Sequence, residues 1–234
     1  LDGGVRMELV GRIDRVDAAE YGDRELLRII DYKSGSRALS LEEVYYGLSL
    51  QLLAYLDVVI SQADEWRGKP AVPAGALYFH VHNPLVQAAS PMSEMEREEA
   101  LLRQYKMKGI VSADREAIAA MDNQLEKGRS PIIPVGIKAD GGFYSDSQVA
   151  DEQQWEGVRK LVRRRIRQIG EQIVQGHLEI RPYRRGKRSP CAWCSYRPVC
   201  QFDTLMEGND YRFLPDMDKQ ELWRAILQEK EEEV

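Results

Sequence analysis

Along residues 5–17 (VRMELVGRIDRVD) apolar Val5, Met7, Leu9 and Ile13 alternate with polar neighbours, the period-two pattern of a half-buried strand. A polar turn at 20–24 follows. Residues 26–32 then carry Leu26, Leu27, Ile29 and Ile30 on both parities, which predicts a second strand covered on both faces, toward the middle of a sheet. The two predict a hairpin with Asp14 and Asp31 on adjacent strands. From Leu41 to Ser61, Leu41, Val44, Tyr45, Leu48, Leu52, Tyr55, Leu56 and Val59 recur at threes and fours, predicting one helix begun by a Ser40/Glu43 capping box. Past the Gly68-Lys69-Pro70 break, residues 76–81 (ALYFHV) predict a third strand, closed by Asn83-Pro84.

Residues 92–106 are charged and helix-prone, and a shorter helix is predicted over 115–126. Residues 109–111 and 131–134 look irregular. A long helix is predicted from Asp146 or Ser147 to Gly176, with Val149, Trp155, Val158, Val162, Ile166, Ile169 and Ile173 as its apolar stripe and arginines on the other side. The chain closes with a cysteine segment, a polar connection, an amphipathic helix around Leu222–Leu227 and the acidic tail Glu229-Lys230-Glu231-Glu232-Glu233. There is no internal repeat. The expected fold is α/β, a mixed central sheet of about four or five strands flanked by helices. Residues 1–185 are assigned to this core and 186–234 to the cysteine segment and acidic helix.

At 234 residues the chain accommodates one sizeable core with or without a small appendage. No apolar run approaches the roughly 20 residues of a membrane span, and no signal peptide is present, so a cytoplasmic protein is expected. A start at Leu-Asp-Gly-Gly points to a piece of a longer protein. The net charge of -5 argues against a nucleic-acid partner only until its distribution is read. Between Arg159 and Arg188 eleven Lys and Arg face only Glu171 and Glu179, a net of +9 that leaves -14 for the rest. One face can therefore be strongly basic in an acidic protein. A solvated helix face is the plainer alternative.

The chemistry concentrates in Gly11-Arg12-Ile13-Asp14 and Ile29-Ile30-Asp31-Tyr32-Lys33-Ser34-Gly35. Carboxylates on adjacent strands repel unless a cation, a shared proton or water compensates, so Asp14 and Asp31 are a candidate divalent-cation site of the kind Mg²⁺ occupies. Lys33 shares the parity of Asp31 and should project to the same side, where it could orient a hydroxide or stabilise charge on a phosphate. The bland alternative is a surface Asp31–Lys33 pair, with Asp14 bridging to Arg12 or Arg15.

These stretches, followed by Leu50-Gln51-Leu52-Leu53-Ala54-Tyr55-Leu56, resemble the ordered motifs of the PD-(D/E)XK nucleases of the RecB type. The likeness is greatest to the C-terminal nuclease domains of the AddB family, helicase-nuclease subunits, and extends through Tyr78-Phe79-His80-Val81-His82-Asn83-Pro84 and the cysteines. The resemblance implies a restriction-endonuclease-like fold and Mg²⁺-dependent hydrolysis of single-stranded DNA during double-strand break processing, beside an AddA-type partner. It makes Asp14, Asp31 and the main-chain carbonyl of Tyr32 metal ligands and Lys33 catalytic. Gln51 and Tyr55 match the family's helix motif; four apart, they share one helix face. A further His or Glu ligand is implied upstream of these residues, so the chain alone carries an incomplete set. His80 and His82 share a strand face but receive no role, and a structural reading is expected.

Cys191, Cys194 and Cys200 form C-x2-C-x5-C, a clustering that favours a thiolate metal site over a disulfide. Three ligands leave a tetrahedral site one short, for zinc or for an iron–sulfur cluster. The resemblance implies a [4Fe-4S] cluster completed by a distant upstream cysteine; zinc with His177 is the rival. Arg159, Lys160, Arg163, Arg164, Arg167, Arg184, Arg185, Lys187 and Arg188 are the candidate DNA-backbone contacts. Alternatives to a nuclease are a catalytically silent DNA-binding or scaffolding module, and a domain that docks a helicase partner through the helix at Leu222–Leu227.

Overall fold

In the computed structural model, which describes residues 1–35, 37–82, 84–86 and 91–229, strand β1 (Arg15–Tyr21) turns through Gly22 and Asp23 into β2 (Arg24–Lys33). The hairpin forms, but later than the alternation predicts. Residues 5–13 hold no strand, and Asp14 lies immediately before β1. The register pairs Arg15 with Ile30, and β2 ends at Lys33, so earlier residues soon run out of ladder partners. Leu9 and Val10 are accordingly exposed.

The single helix predicted over 41–61 is two, α1 (Leu41–Tyr45) and α2 (Gln51–Ser61), followed by α3 (Ala63–Arg67). Gly47, at φ +78°, makes the break, because that left-handed conformation cannot continue a right-handed helix. Ser40 caps α1, its hydroxyl accepting the Glu43 N–H at 3.2 Å. The break makes Gln51 the first residue of α2.

Strand β3 (Ala71–His80) begins earlier than predicted and runs parallel to β2, setting Asp31 beside Tyr78 and Lys33 beside His80. Asn83, expected to close it, lies outside the described residues, as do residues 230–233 of the acidic tail. After α4 (Glu94–Gln104), capped reciprocally by Ser93 and Glu96, the stretch expected to be irregular at 109–111 is strand β4 (Lys108–Ser112), antiparallel to β3. Gly109 hid it: a Cβ there would clash with the Ala76 carbonyl oxygen, so the close approach needs glycine, which interrupts the apolar pattern. Next come α5 (Arg115–Met121), shorter than predicted, and a small ladder of β5 (Gly128–Arg129) with β6 (Gly136–Ile137). Val149, assigned to the long helix by its apolar character, instead belongs to β7 (Val149–Ala150), parallel to β4. The helix α6 (Glu152–Val174) starts after it at the Asp151 cap.

The sheet order is β1-β2-β3-β4-β7, five strands of mixed direction, within the expected range. Leu27 and Ile29 on β2 and Ala76 and Tyr78 on β3 face a core shared with α2 and α6, whereas Ile30, Leu77 and Val111 face Ile118 of α5 and Ile133. That division is the double coverage read from the two-parity pattern of β2. The cysteine region is bracketed by β8 (Tyr183–Arg184) pairing with β9 (Arg212–Phe213) and includes the short α7 (Arg197–Cys200). Helix α8 (Lys219–Gln228) returns to the main core through Leu222, Trp223 and Ile226. Among the described residues no helix is long and apolar enough to cross a membrane.

Candidate active site

The period of β2 places Asp31 and Lys33 on the face that carries α2, and continuation of the hairpin register brings Asp14 beside them. Asp14 Oδ2 accepts the Tyr32 N–H at 2.9 Å, so its carboxylate is held by the backbone between Asp31 and Lys33. Lys33 Nζ lies 2.6 Å from Asp31 Oδ2 and 3.5 Å from Gln51 Oε1, and Gln51 Nε2 donates to the Tyr55 hydroxyl at 3.2 Å. Arg15, the alternative partner for Asp14, pairs with Asp17 instead. All five residues proposed for catalysis from the sequence thus meet at one strand end. Gly11 belongs to the same assembly, since a Cβ there would come within 2.7 Å of the Tyr55 hydroxyl.

Asp31 is only 6% exposed, so the pair it forms with Lys33 is not the surface pair of the bland alternative. Its Oδ2 makes that ion contact with the Lys33 ammonium and has no other hydrogen-bond partner among the described residues. A buried carboxylate oxygen with spare coordination beside a second carboxylate fits a hard divalent cation. Tyr78 lies beneath the site: its ring centroid is 5.6 Å from Lys33 Nζ, its hydroxyl faces Ser49, and burial holds its ionisation above the usual phenol range. Sequence reading missed Tyr78, since only the parallel β2–β3 register brings it beside Asp31. His80 is buried and accepts the Arg37 N–H at 2.9 Å; burial, with Lys108 nearby, lowers its pKa, in keeping with the structural role expected for it. His82 is exposed.

The arginines divide. Arg159 and Arg163 both grip the buried carboxylate of Asp57, at 2.7 and 2.6 Å, and share the Ser61 hydroxyl, so they clamp α6 to α2. Arg164 donates to the Glu229 carbonyl, and Arg185 pairs with Glu42 and Asp216. Arg167 pairs with Glu171, Lys160 faces Glu156, and Arg184 lies over the Tyr211 ring. The Lys187 and Arg188 side chains are exposed, without an ion pair among the described residues.

Cys191, Cys194 and Cys200 are free thiols, the latter two exposed. Their chemistry fits a thiolate site, but the site is not closed: among the described residues no group of three or more His, Cys, Asp or Glu side chains converges to hold an ion. His177 does not complete it.

A comparison with protein families matches residues 1–201 to the PD-(D/E)XK nuclease superfamily. The chain is 48% identical over 231 residues to an ATP-dependent helicase/deoxyribonuclease subunit, AddB, of Bacillus thuringiensis (strain Al Hakam), covering 98% of this chain and 20% of that protein. It is 50% identical over 219 residues to the corresponding protein of Bacillus licheniformis, covering 93% of this chain and 19% of that protein. The chain therefore spans about a fifth of the length of the curated relatives it matches.

Proposed function

The chain belongs to the PD-(D/E)XK nuclease superfamily, and from that premise we propose that it is the DNA-cleaving domain of a helicase-nuclease, hydrolysing phosphodiesters of single-stranded DNA during double-strand break processing in the cytoplasm. Its partners are then single-stranded DNA and an AddA-type helicase-nuclease protein. The observation that carries the reading is the meeting of Asp14, Asp31 and Lys33 at one strand end, with Asp31 Oδ2 buried and, among the described residues, contacted by the Lys33 ammonium alone. Enzymes of this superfamily generally use a divalent metal, and Mg²⁺ is the ion proposed here. When bound it supplies Lewis acidity toward the scissile phosphate.

Asp14, Asp31 and the Tyr32 carbonyl would hold the cation, and the Tyr32 N–H fixes the Asp14 carboxylate in place. Lys33, whose ammonium lies between Asp31 and Gln51, would orient the attacking water or stabilise charge on the phosphate oxygens. Gln51 holds Lys33 from the α2 side, and Tyr55 holds Gln51. Backbone contacts fall first to Lys187 and Arg188, then to Lys160, Arg167 and Arg184. Cys191, Cys194 and Cys200 are proposed ligands of a [4Fe-4S] cluster completed by a thiolate from elsewhere in a longer protein; their spacing and accessibility support this. The division at residues 185/186 is kept as part of the proposal, with α8 returning to the core. Incubation of labelled single-stranded DNA with Mg²⁺ tests the reading. Cleavage by the parent protein that is lost in Lys33→Ala supports it, and equal cleavage by both sinks the assignment.

A further inference from the structure

Four rings form a continuous row at the strand end that carries the candidate site, beginning with Tyr32 and Phe79 on the face of the sheet opposite Asp31. Tyr32 meets Phe79 edge-on at 6.0 Å, Phe79 stacks on Tyr105 at 6.1 Å with 12° between ring planes, and Tyr105 lies 6.1 Å from His82. Phe79 packs against the core around Ile30, Leu77 and Val111, but core packing does not account for the whole row. Tyr32 is 42% exposed, His82 is exposed, and Phe79 and Tyr105 are only partly covered. β2 and β3 hold Tyr32 and Phe79, and Tyr105 is the residue that caps the C-terminal end of α4, so two of the rings stand on strands and a third is anchored to a helix end.

Cations flank Tyr105 in the chain. Arg103, Lys106 and Lys108, with Arg129, line a hollow of about 520 Å³ whose lining holds one acid, Asp146. Arg129 is already paired with Asp146. Lys106 makes no ion pair among the described residues, and its ammonium is held below the usual lysine range by burial and by Arg129, so an incoming anion would relieve it. Lys108 sits beside Tyr78 in the sheet register, which links the hollow to the candidate site.

We propose that Tyr32, Phe79, Tyr105 and His82 are a base-stacking platform for single-stranded DNA, with Lys106 and Lys108 taking the phosphates and leading the strand to Lys33. The proposal rests on the nuclease reading for its substrate. Stacking on open π-faces with cations along the backbone is how sequence-independent binding of single strands works, and a duplex hides the base faces such a row needs. The platform would thus select single strands without reading sequence.

The test compares binding of a labelled oligothymidylate with an abasic oligonucleotide of equal length and charge, by fluorescence anisotropy in EDTA so that nothing is cleaved. The parent protein is expected to hold the oligothymidylate at least about fivefold more tightly. Tyr105→Leu should remove most of that advantage and leave abasic binding unchanged, while Tyr105→Phe should keep it. If thermal melting shows that Tyr105→Leu fails to fold, His82→Leu, at an exposed position, makes the same test. Equal binding of both oligonucleotides by the parent, or loss of both in the Leu variant, overturns the platform. Base-dependent binding without Mg²⁺-dependent cleavage would instead leave the platform standing and remove the nuclease reading.

Discussion

Asp31 and Asp57 are both nearly buried aspartates facing cations, 6% and 7% exposed, yet their surroundings differ in kind. Asp57 receives three guanidinium hydrogen bonds, from Arg159 Nε and from Arg163 Nε and one terminal nitrogen, and both arginines also reach Ser61. Nothing is left over, and the result is a clamp between α2 and α6. Asp31 has one flexible lysine, and its Oδ2 has no other hydrogen-bond partner among the described residues. A fully bonded carboxylate holds a fold together; an under-bonded one beside Asp14 is positioned to bind something else. Burial alone would have put both residues in one class.

The largest effect that sharpens this contrast is on turnover. Lys33→Ala and Asp14→Ala should each lower the rate of single-stranded DNA cleavage by about 10²- to 10³-fold or more, with thermal melting little changed. Second is stability: Asp57→Ala leaves two guanidinium groups without their carboxylate and should cost about 3 kcal/mol, toward the low end for a broken buried pair because the Arg163 side chain is half exposed. Denaturant unfolding reads it directly. Third, the double variant Lys187→Ala/Arg188→Ala should reduce the slope of log affinity against log salt by about 1.4, two contacts at ~0.7 each for a single strand. Arg163→Ala should leave the slope unchanged and lower stability instead.

The smallest effect concerns His80. Burial lowers its folded pKa, and its Nε2 accepts the Arg37 N–H, so the neutral form is the one the fold uses. The unfolded chain therefore binds the proton at higher pH than the folded one. This contribution is fully present above the unfolded value of about 6.5 and is lost as pH falls below it toward the folded value. Melting temperature should decline between about pH 7 and pH 5, and less steeply in His80→Gln.

Much of the candidate site's geometry was legible in the sequence because its determinants are local. The parity of Asp31 and Lys33 and the four-residue spacing of Gln51 and Tyr55 are fixed by the strand and helix periods, and both survive into the structure. The helix break at Gly47 shifted the start of α2 without disturbing that spacing. Strands β4 and β7 were hidden, one by Gly109 and the other by having only two residues before the Asp151 cap. The roles of Arg159 and Arg163 were hidden by distance: Asp57 stands 102 and 106 positions away, and a run of arginines on a helix looks the same whether it faces DNA or a buried carboxylate. Tyr78 was missed for the same reason, its place beside Asp31 depending on a parallel pairing with no local signature.

The difference between the two aspartates is tested most directly by single-stranded DNA cleavage with Mg²⁺ by Asp31→Asn and Asp57→Asn, each rate divided by the folded fraction measured in the same buffer. The prediction is that Asp31→Asn is folded and almost inactive, while Asp57→Asn cleaves at close to the parent rate per folded molecule. Parent-like cleavage by Asp31→Asn would contradict it.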